Sequence, residues 1–449
     1  MPRVAQIGTW WSPASGRASR AGEIDAELRT AIAILPPVRL LPVRVVETIA
    51  PARLGRSFRW LLGATVVNNA GDGVVIAAGP LLVASQTRDP FLVSLALLSE
   101  YLPVLLFGLI GGAIADRVDR VRMVVAVNIG RSFVLAALVL TIVTGTVNIA
   151  LVLTALFVLG TAETFADSAS STLMPGFVAR KDLGIANARM QTGLLLTNQL
   201  LLPPVGAFLF VVGAAIPFAA NAAGFLLGAV LISRISARPP ERSGEGRGLR
   251  ADMAEGLRWL MAHPPMRTLA LTIFTFNVTF GAAWSVLVLY AGERLRMDEV
   301  GFGLLTTAMA IGGLIGTLSY GRLERRFSLA DIMRVGLLIE TITHLVLALT
   351  TVPAVALGTL VVFGAHAFVW GTPSTVVRQR AVPDELLGRV GGVYRMAIMG
   401  GLVIGTPLGG VLARTFGITA PFWFGFIGSA LLVLVLWREF EHIEHAGDH

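Results

Sequence analysis

The sequence predicts an all-α membrane protein with twelve transmembrane helices in two six-helix halves. Three observations carry this. First, 55% of the 449 residues are hydrophobic. Only 14% are charged, against about 25% in soluble domains, too few to cover a water-facing surface. Second, apolar segments of spanning length follow one another along the chain. Third, the arginines gather in alternate loops. Forty-nine glycines lie mostly inside the apolar runs, where small residues let helix backbones approach closely.

Residues 1–56 stand apart as a tail, expected to be cytoplasmic and disordered. Their apolar run is broken by Pro36, Pro37, Arg39, Pro42 and Arg44. It is too interrupted to span a bilayer and lacks the order of a signal peptide. A helix needs about twenty residues to cross a core of about 30 Å. The predicted spans are 58–84, 91–115, 123–143, 150–173, 185–210, 216–232, 269–290, 302–320, 332–349, 354–373, 390–412 and 421–436.

Arg-rich loops lie at 116–122, 180–189, 234–267, 322–334 and 378–389. The opposite loops at 144–148, 213–215 and 350–353 are short and nearly uncharged, and 293–299 is mixed. The asymmetry places both termini and the central loop in the cytoplasm of a multi-pass cell-membrane protein. It sets a first half at 57–233, a central loop at 234–267, a second half at 268–437 and a tail at 438–449. Residues 252–261 have helical period and are expected to lie along the membrane surface.

The halves repeat. Leu202-Pro-Pro-Val-Gly-Ala207 in the fifth span answers Gly405-Thr-Pro-Leu-Gly-Gly410 in the eleventh, and Asp182-Leu-Gly answers Asp384-Glu-Leu-Leu-Gly388 just before them. Parallel six-helix repeats are a transporter plan, with the site between them near the midplane.

The loop after the second span reads Gly112-Ala-Ile-Ala-Asp116-Arg117-Val-Asp119-Arg120-Val-Arg122. This resembles the cytoplasmic signature of the major facilitator superfamily, with Asp119 where the pattern often has Gly. The matching loop of the second half, after Gly316, has Tyr320 in place of the Asp. Further resemblance lies in Asn69-Ala-Gly-Asp72, Leu173-Met-Pro175, Ala186-Asn-Ala188, Val382-Pro-Asp-Glu-Leu-Leu-Gly-Arg-Val390 and Tyr394-Arg395. It covers roughly residues 56–440 and is closest to the twelve-helix drug:H+ antiporter branch, with its macrolide-efflux-like and enterobactin-exporter-like members. The fifth span resembles the antiporter motif, with Leu202 and Ala207 replacing glycines. The resemblance implies a latch at Gly112, Asp116, Arg117 and Arg120. It also implies proton-coupled export of small amphipathic compounds by alternating access. A dedicated exporter of a siderophore or lipid-like metabolite remains the alternative, and a non-transporting sensor or scaffold the alternative of another class.

Charges within the spans are the candidate site. A carboxylate at a helix centre costs about 2.5–3.5 kcal/mol on insertion scales. Asp72, beside Asn68 and Asn69, is the first candidate for proton coupling. Glu100, Arg131, Glu163 and Asp167 join it; the last two sit four apart and share a helix face. A proton entering down the membrane potential gains about 2.3 kcal/mol per 100 mV. Arg131 paired with Glu163 or Asp167 is the structural alternative.

In the second half, Asn277 stands at the repeat position of Asp72, and Arg395 is placed to hold a carboxylate or an anionic substrate. Glu340 and His344, four apart, suggest a structural pair with Arg395 as a third member. His366 and Trp370 read as packing residues before substrate-facing ones. Phe274, Phe276, Phe280 and Trp284 suit packing, or stacking of a flat apolar substrate.

Other classes find no support. Cysteine is absent, which removes disulfides and thiolate metal sites. His442, His445 and His449 read as a solvated tail, so no metal and no cofactor are expected. The net charge of +8 follows the loop arginines rather than a nucleic-acid motif. No phosphate-binding loop or nucleophile elbow appears, so an ATP-driven pump or an enzyme is not expected. The expected partners are a small-molecule substrate, protons and the lipid bilayer, with the chain acting as a monomer.

Overall fold

The computed structural model describes residues 51–440, apart from 116, 171–172, 236–248 and 438. The first half holds α1 (Gly55–Gln86), α2 (Pro90–Ala115), α3 (Arg120–Val143), α4 (Ile149–Ser170), α5 (Arg180–Val212) and α6 (Ile216–Ser233). A connecting helix, α7 (Leu249–Ala262), follows. The second half holds α8 (Pro264–Trp284), α9 (Leu287–Glu293), α10 (Glu299–Glu324), α11 (Leu329–Leu349), α12 (Pro353–Ala381), α13 (Leu387–Phe416) and α14 (Ala420–Leu436).

Among the described residues, ten helices are long and apolar enough to cross a membrane. The bent pair α8–α9 makes an eleventh span, and the shorter apolar α14 completes twelve. Helices are the necessary outcome. In hydrocarbon no water is present to bond the backbone, so each segment must satisfy its own N–H and C=O groups. Helix starts are marked where the chain leaves the apolar layer. Asp119 accepts from the Arg122 N–H at 3.1 Å, Asp298 from Gly301 at 2.7 Å, and Ser328 from Asp331 at 3.0 Å. Asp119, the departure from the family loop, thus works as the cap of α3.

The structure departs from regular predicted spans most at three points. The 269–290 segment is two helices bent by 42°, with Ser285 bonding back to the Ala282 carbonyl in the break. Pro373 does not end α12, which runs on to Ala381. A proline removes one helix bond, but Ser374 beside it is tied to Tyr394 at 2.6 Å. Within α5, residues Leu195–Leu201 widen into a π-helical stretch ahead of Pro203 and Pro204, neither of which can donate a backbone bond.

Close helix contacts are built on glycine. Gly206 of α5 sits on the Val74 carbonyl of α1; 203 residues later, Gly409 of α13 sits on the Ala282 carbonyl of α8. The internal repeat is therefore a repeat of the same packed joint. Gly312 and Gly316 of α10 lie directly on the α12 backbone at Val361 and Ala365. At Gly112 there is open space, with no described atom within 4 Å of where a Cβ would sit. Its neighbour Gly111 packs toward α4 instead, where a Cβ would meet the Ser168 hydroxyl at 3.0 Å.

The halves meet through α2 against α13 and α5 against α10. Their atomic contacts gather at the Arg-poor end. Gly410 abuts Ser94 and Phe91, Gly303 abuts Pro204 and Ala207, and Arg414 reaches Asp89 at 3.5 Å. A continuous buried core joins both halves there, including Leu81, Val93, Ala207, Phe218, Leu287 and Phe302. A second buried core, near the Arg-rich end, belongs to α7 and the second half alone. In it Arg389 of α13 holds α7 through Asp252 at 2.9 Å and Glu255 at 3.0 Å. The helical reading of 252–261 holds, and this helix is docked on α13. The tail at 1–50 and the late histidines lie outside the described residues.

Gly409→Leu must push α13 off α8. Overpacking a close joint costs about 1–3 kcal/mol, so the thermal midpoint of the purified protein should fall. Gly112→Leu, at open space, should leave it within a degree or so of wild type. Equal midpoints for the two variants would refute the joint.

Candidate functional site

The site begins with Arg131 in the middle of α3. An isolated guanidinium there would be too costly to bury, and α1, α4 and α6 each bring it a partner. Asp72 of α1 lies 2.9 Å away and Glu163 of α4 lies 3.4 Å away, both reached through the same Nη2. The guanidinium lies over the Phe225 ring of α6 at 3.9 Å. Asn221, one helical turn before Phe225, brings its side chain to Asp72.

Local sequence makes this approach possible. Gly71 lets α1 meet Asn221, and Gly228 lets α6 meet Asn68. Ser132 bonds the Ala222 carbonyl at 2.9 Å and holds α3 on α6. A larger residue at Gly71 would collide with Asn221 and move Asp72 away from its partners.

Exposure rises across the cluster, and this orders the residues. The Arg131 side chain is 5% exposed, Asp72 17% and Glu163 43%. Asp167, one turn beyond Glu163, is exposed, as are Glu100 of α2 and Arg395 of α13. These six groups form one electrostatic system. Asp72 acts on Glu100, Glu163 and Asp167, and Arg395 of the other half acts on Asp167. Asp72, Glu163 and Asp167 therefore share one buried guanidinium, Glu100 acts on Glu163, and a second cation, Arg395 of the other half, acts on Asp167. The polar gradient runs from a dry ion pair to accessible acids in the middle of the bundle.

The other anticipated residues divide. Asn69 bonds its own helix at the Thr65 carbonyl, 2.9 Å away. Asn68 is half-buried against Gly228, and its amide oxygen has no hydrogen-bond partner among the described residues. Asn277 occupies the repeat position of Asp72 but is buried against Gly401, with its amide on the Ile273 carbonyl at 2.7 Å. It serves the α8–α13 joint. Arg395 is not the third member of the Glu340–His344 pair; that place is taken by His366, at 3.3 Å from Glu340. The reason is geometric, because α12 packs on α11 and turns His366 inward. Of the loop signature, Asp116 lies outside the described residues, Arg117 is exposed, and Arg120 turns back toward the Ala115 carbonyl at 3.5 Å.

Phe276, Phe280 and Trp284 do form an aromatic face on α8, half-buried and stacked onto Trp370 and Phe363 of α12. Phe274 does not join them and turns toward Gly400 and Gly401 of α13. Sequence reasoning missed Asn221, Phe225 and the fully buried Asn128. A lone Asn in the apolar sixth span was the available signal for Asn221.

The sequence matches the family described as transmembrane secretion effector over residues 46–444. That match takes in both halves and the connecting helix. The chain belongs to this family of the major facilitator superfamily. It is an exporter of the major facilitator type and not an enzyme. It is 28% identical over 379 residues to the multidrug efflux pump Tap of Mycolicibacterium fortuitum, covering 81% of this chain and 90% of that protein. It is 24% identical over 389 residues to the enterobactin exporter EntS of Shigella boydii serotype 4 (strain Sb227), covering 85% and 92%. In fold it resembles a bacterial homologue of the iron transporter ferroportin in its inward-facing state, with a TM-score of 0.70 at 17% identity, covering 87% of this chain and 98% of that one. The outward-facing state of that homologue fits less well, at 0.57 and 20% identity, covering 86% and 100%.

Removing the cation from this major facilitator exporter should be worse than removing the pair. Arg131→Leu leaves Asp72 buried and unpaired, which costs about 3–5 kcal/mol. Asp72→Asn combined with Arg131→Leu should recover a large part of it. Thermal melts of the two purified variants check this, and equal losses would show that the pair is not the source.

Proposed function

We propose that the protein exports small amphipathic compounds from the cytoplasm in exchange for protons, by alternating access of its two halves. One observation carries this reading: a single buried guanidinium, Arg131, is shared by Asp72 and Glu163 while Glu100 and Asp167 crowd the same space. Four negative charges cannot all persist around it in a low-dielectric bundle. Some must hold a proton, or a cationic group of the substrate must stand in for one.

The cycle follows from that competition. With a proton on Glu163, Arg131 belongs to Asp72 and the acidic wall is nearly neutral. When Glu163 gives up its proton, it competes for Arg131 and the wall attracts a cationic or strongly polar group. Substrate and proton thus exclude one another, which is the condition for exchange. The aromatic face of Phe276, Phe280 and Trp284 supplies the apolar part of the binding surface.

In this reading the Arg-rich end is cytoplasmic, in accord with the positive-inside rule. Closure at the Arg-poor end then corresponds to an inward-facing state. The better fit to the inward-facing neighbour supports this. The loop of Gly112, Asp116, Arg117 and Arg120 latches the halves in the opposite state. The central loop with α7 stays at the cytoplasmic surface, and one chain is the transporting unit. A dedicated siderophore exporter is the second reading, favoured by the likeness to EntS.

In proteoliposomes with an imposed pH gradient, wild type should concentrate ethidium against its gradient. Glu163→Gln should lose gradient-driven accumulation by roughly tenfold or more, while ethidium exchange without a gradient continues. Equal accumulation by both would sink the coupling role of Glu163. No energised flux for any of a panel of drugs and siderophores would point back to a non-transporting sensor.

The absence of cysteine allows a clean test of orientation. In whole cells, Thr146→Cys should react with a membrane-impermeant maleimide, and Lys181→Cys should react only after permeabilisation. The reverse pattern would invert the topology.

A further inference from the structure

The second half contains a buried ionisable cluster that the exchange described above does not use. Glu340 of α11 is fully buried, and the two groups facing its carboxylate are both histidines. His344 brings Nδ1 to 3.4 Å from one carboxylate oxygen, and its ring lies directly on Gly425 of α14. His366 of α12 brings Nε2 to 3.3 Å from the other oxygen. Both imidazoles are buried. Among the described residues, Glu340 Oε1 and His366 Nδ1 have no hydrogen-bond partner.

Among the described residues, no permanent cation is paired with Glu340. α14 contributes no titratable residue at all. α12 has Arg378 and Arg380 only near its end, with Arg378 over the Tyr394 ring at 4.5 Å. α10 carries its ionisable groups, Glu299, Tyr320, Arg322 and Glu324, toward its ends, and α8 has only Arg267 in its first turn. On α11 itself, Asp331 and Arg334 lie in the first turns, where they pair with each other at 3.4 Å. On α13, Tyr394 is engaged with Ser374, and Arg395 is exposed and faces Asp167. A buried carboxylate in that position is neutral only with a proton on itself or on one of its histidines.

The cluster also touches the aromatic face. Phe276 lies edge-on to His366 at 6.3 Å and flat against Trp370 at 6.3 Å. The His366 and Trp370 rings converge over Gly336, where a side chain would meet both, at 2.9 and 2.8 Å. Phe276 is half-buried, so a compound lying on it is one ring away from His366.

We propose that Glu340, His344 and His366 form a second proton-binding site, in the second half, and that a compound resting on the Phe276 face changes its proton affinity through His366. The inference rests on the exporter reading above. It places a proton-linked group in each half, so that binding between the halves is read by both. The linkage is reciprocal: protonating the triad must change affinity for the compound by the same factor.

Trp370 supplies a readout that needs no ligand, because a protonated imidazole beside an indole quenches its emission. In the full-length protein in detergent, the part of the tryptophan emission lost in Trp370→Phe should change as the pH is scanned from about 5 to 8. That change should vanish in His366→Gln and persist in Glu163→Gln. Ethidium affinity in the Glu163→Gln background should change roughly threefold or more across the same range, and become flat when His366→Gln is added. Calorimetry of ethidium binding to Glu163→Gln, in buffers of different ionisation enthalpy, supplies the proton count where His366→Gln does not fold. A net proton taken up or released that is lost when Glu340→Gln is added supports the site. A pH-independent Trp370 signal, an unchanged ethidium profile in the double variant, or a count of zero protons overturns it. Loss of coupled transport in Glu163→Gln with these signals intact would leave the two sites distinct.

Discussion

In hydrocarbon an ion must find its counter-ion inside the protein, and Arg131 is where this fold meets that demand. A guanidinium at 5% exposure holds α1, α3, α4 and α6 to a common point, through Asp72, Glu163 and the Phe225 ring. The helices of the first half are arranged around it. Glycines at 71 and 228 and Ser132 let the four helices come close enough for those contacts. The acids of the cluster outnumber its cations, and in the proposed exchange that imbalance is what lets the preferred pairing change with each proton gained or lost.

The halves share a scaffold and differ in chemistry. The glycine joint between α1 and α5 recurs between α8 and α13, its glycines, Gly206 and Gly409, lying 203 residues apart. At the position where the first half carries Asp72, the second half carries Asn277, spent on the joint itself. Its ionisable groups sit instead on α11 and α12, as Glu340, His344 and His366, sealed from water and next to a stack of rings. One half thus offers accessible carboxylates and the other an aromatic wall. A molecule with a polar or cationic end and a flat apolar body would touch both. The contact core at the Arg-poor end holds the halves together in this structure.

Much of this was legible in the order of residues. Hydropathy and loop arginines determine that the chain is helical, spans the membrane about twelve times and divides in two, because hydrocarbon forbids unpaired backbone and water demands charge. The rarity of ions in the spans picked out Asp72, Glu100, Arg131, Glu163 and Asp167, since each is too costly to be incidental. Helical spacing put Glu163 and Asp167 on one face, and the α4 geometry agrees.

Which ion meets which was decided only by tertiary structure. Residues 59 and 32 positions from Arg131 both reach it, and sequence spacing carries no record of that distance. The same is true of His366, which periodicity alone could leave as packing and which α12 turns onto Glu340 across 26 residues. Helix ends and bends likewise follow neighbours more than local residues, as at Pro373, where contact with α13 carries the helix through. Local sequence sets what each segment must be in a bilayer. Long-range packing sets which charges share a space, because that depends on distances between helices that no single helix encodes.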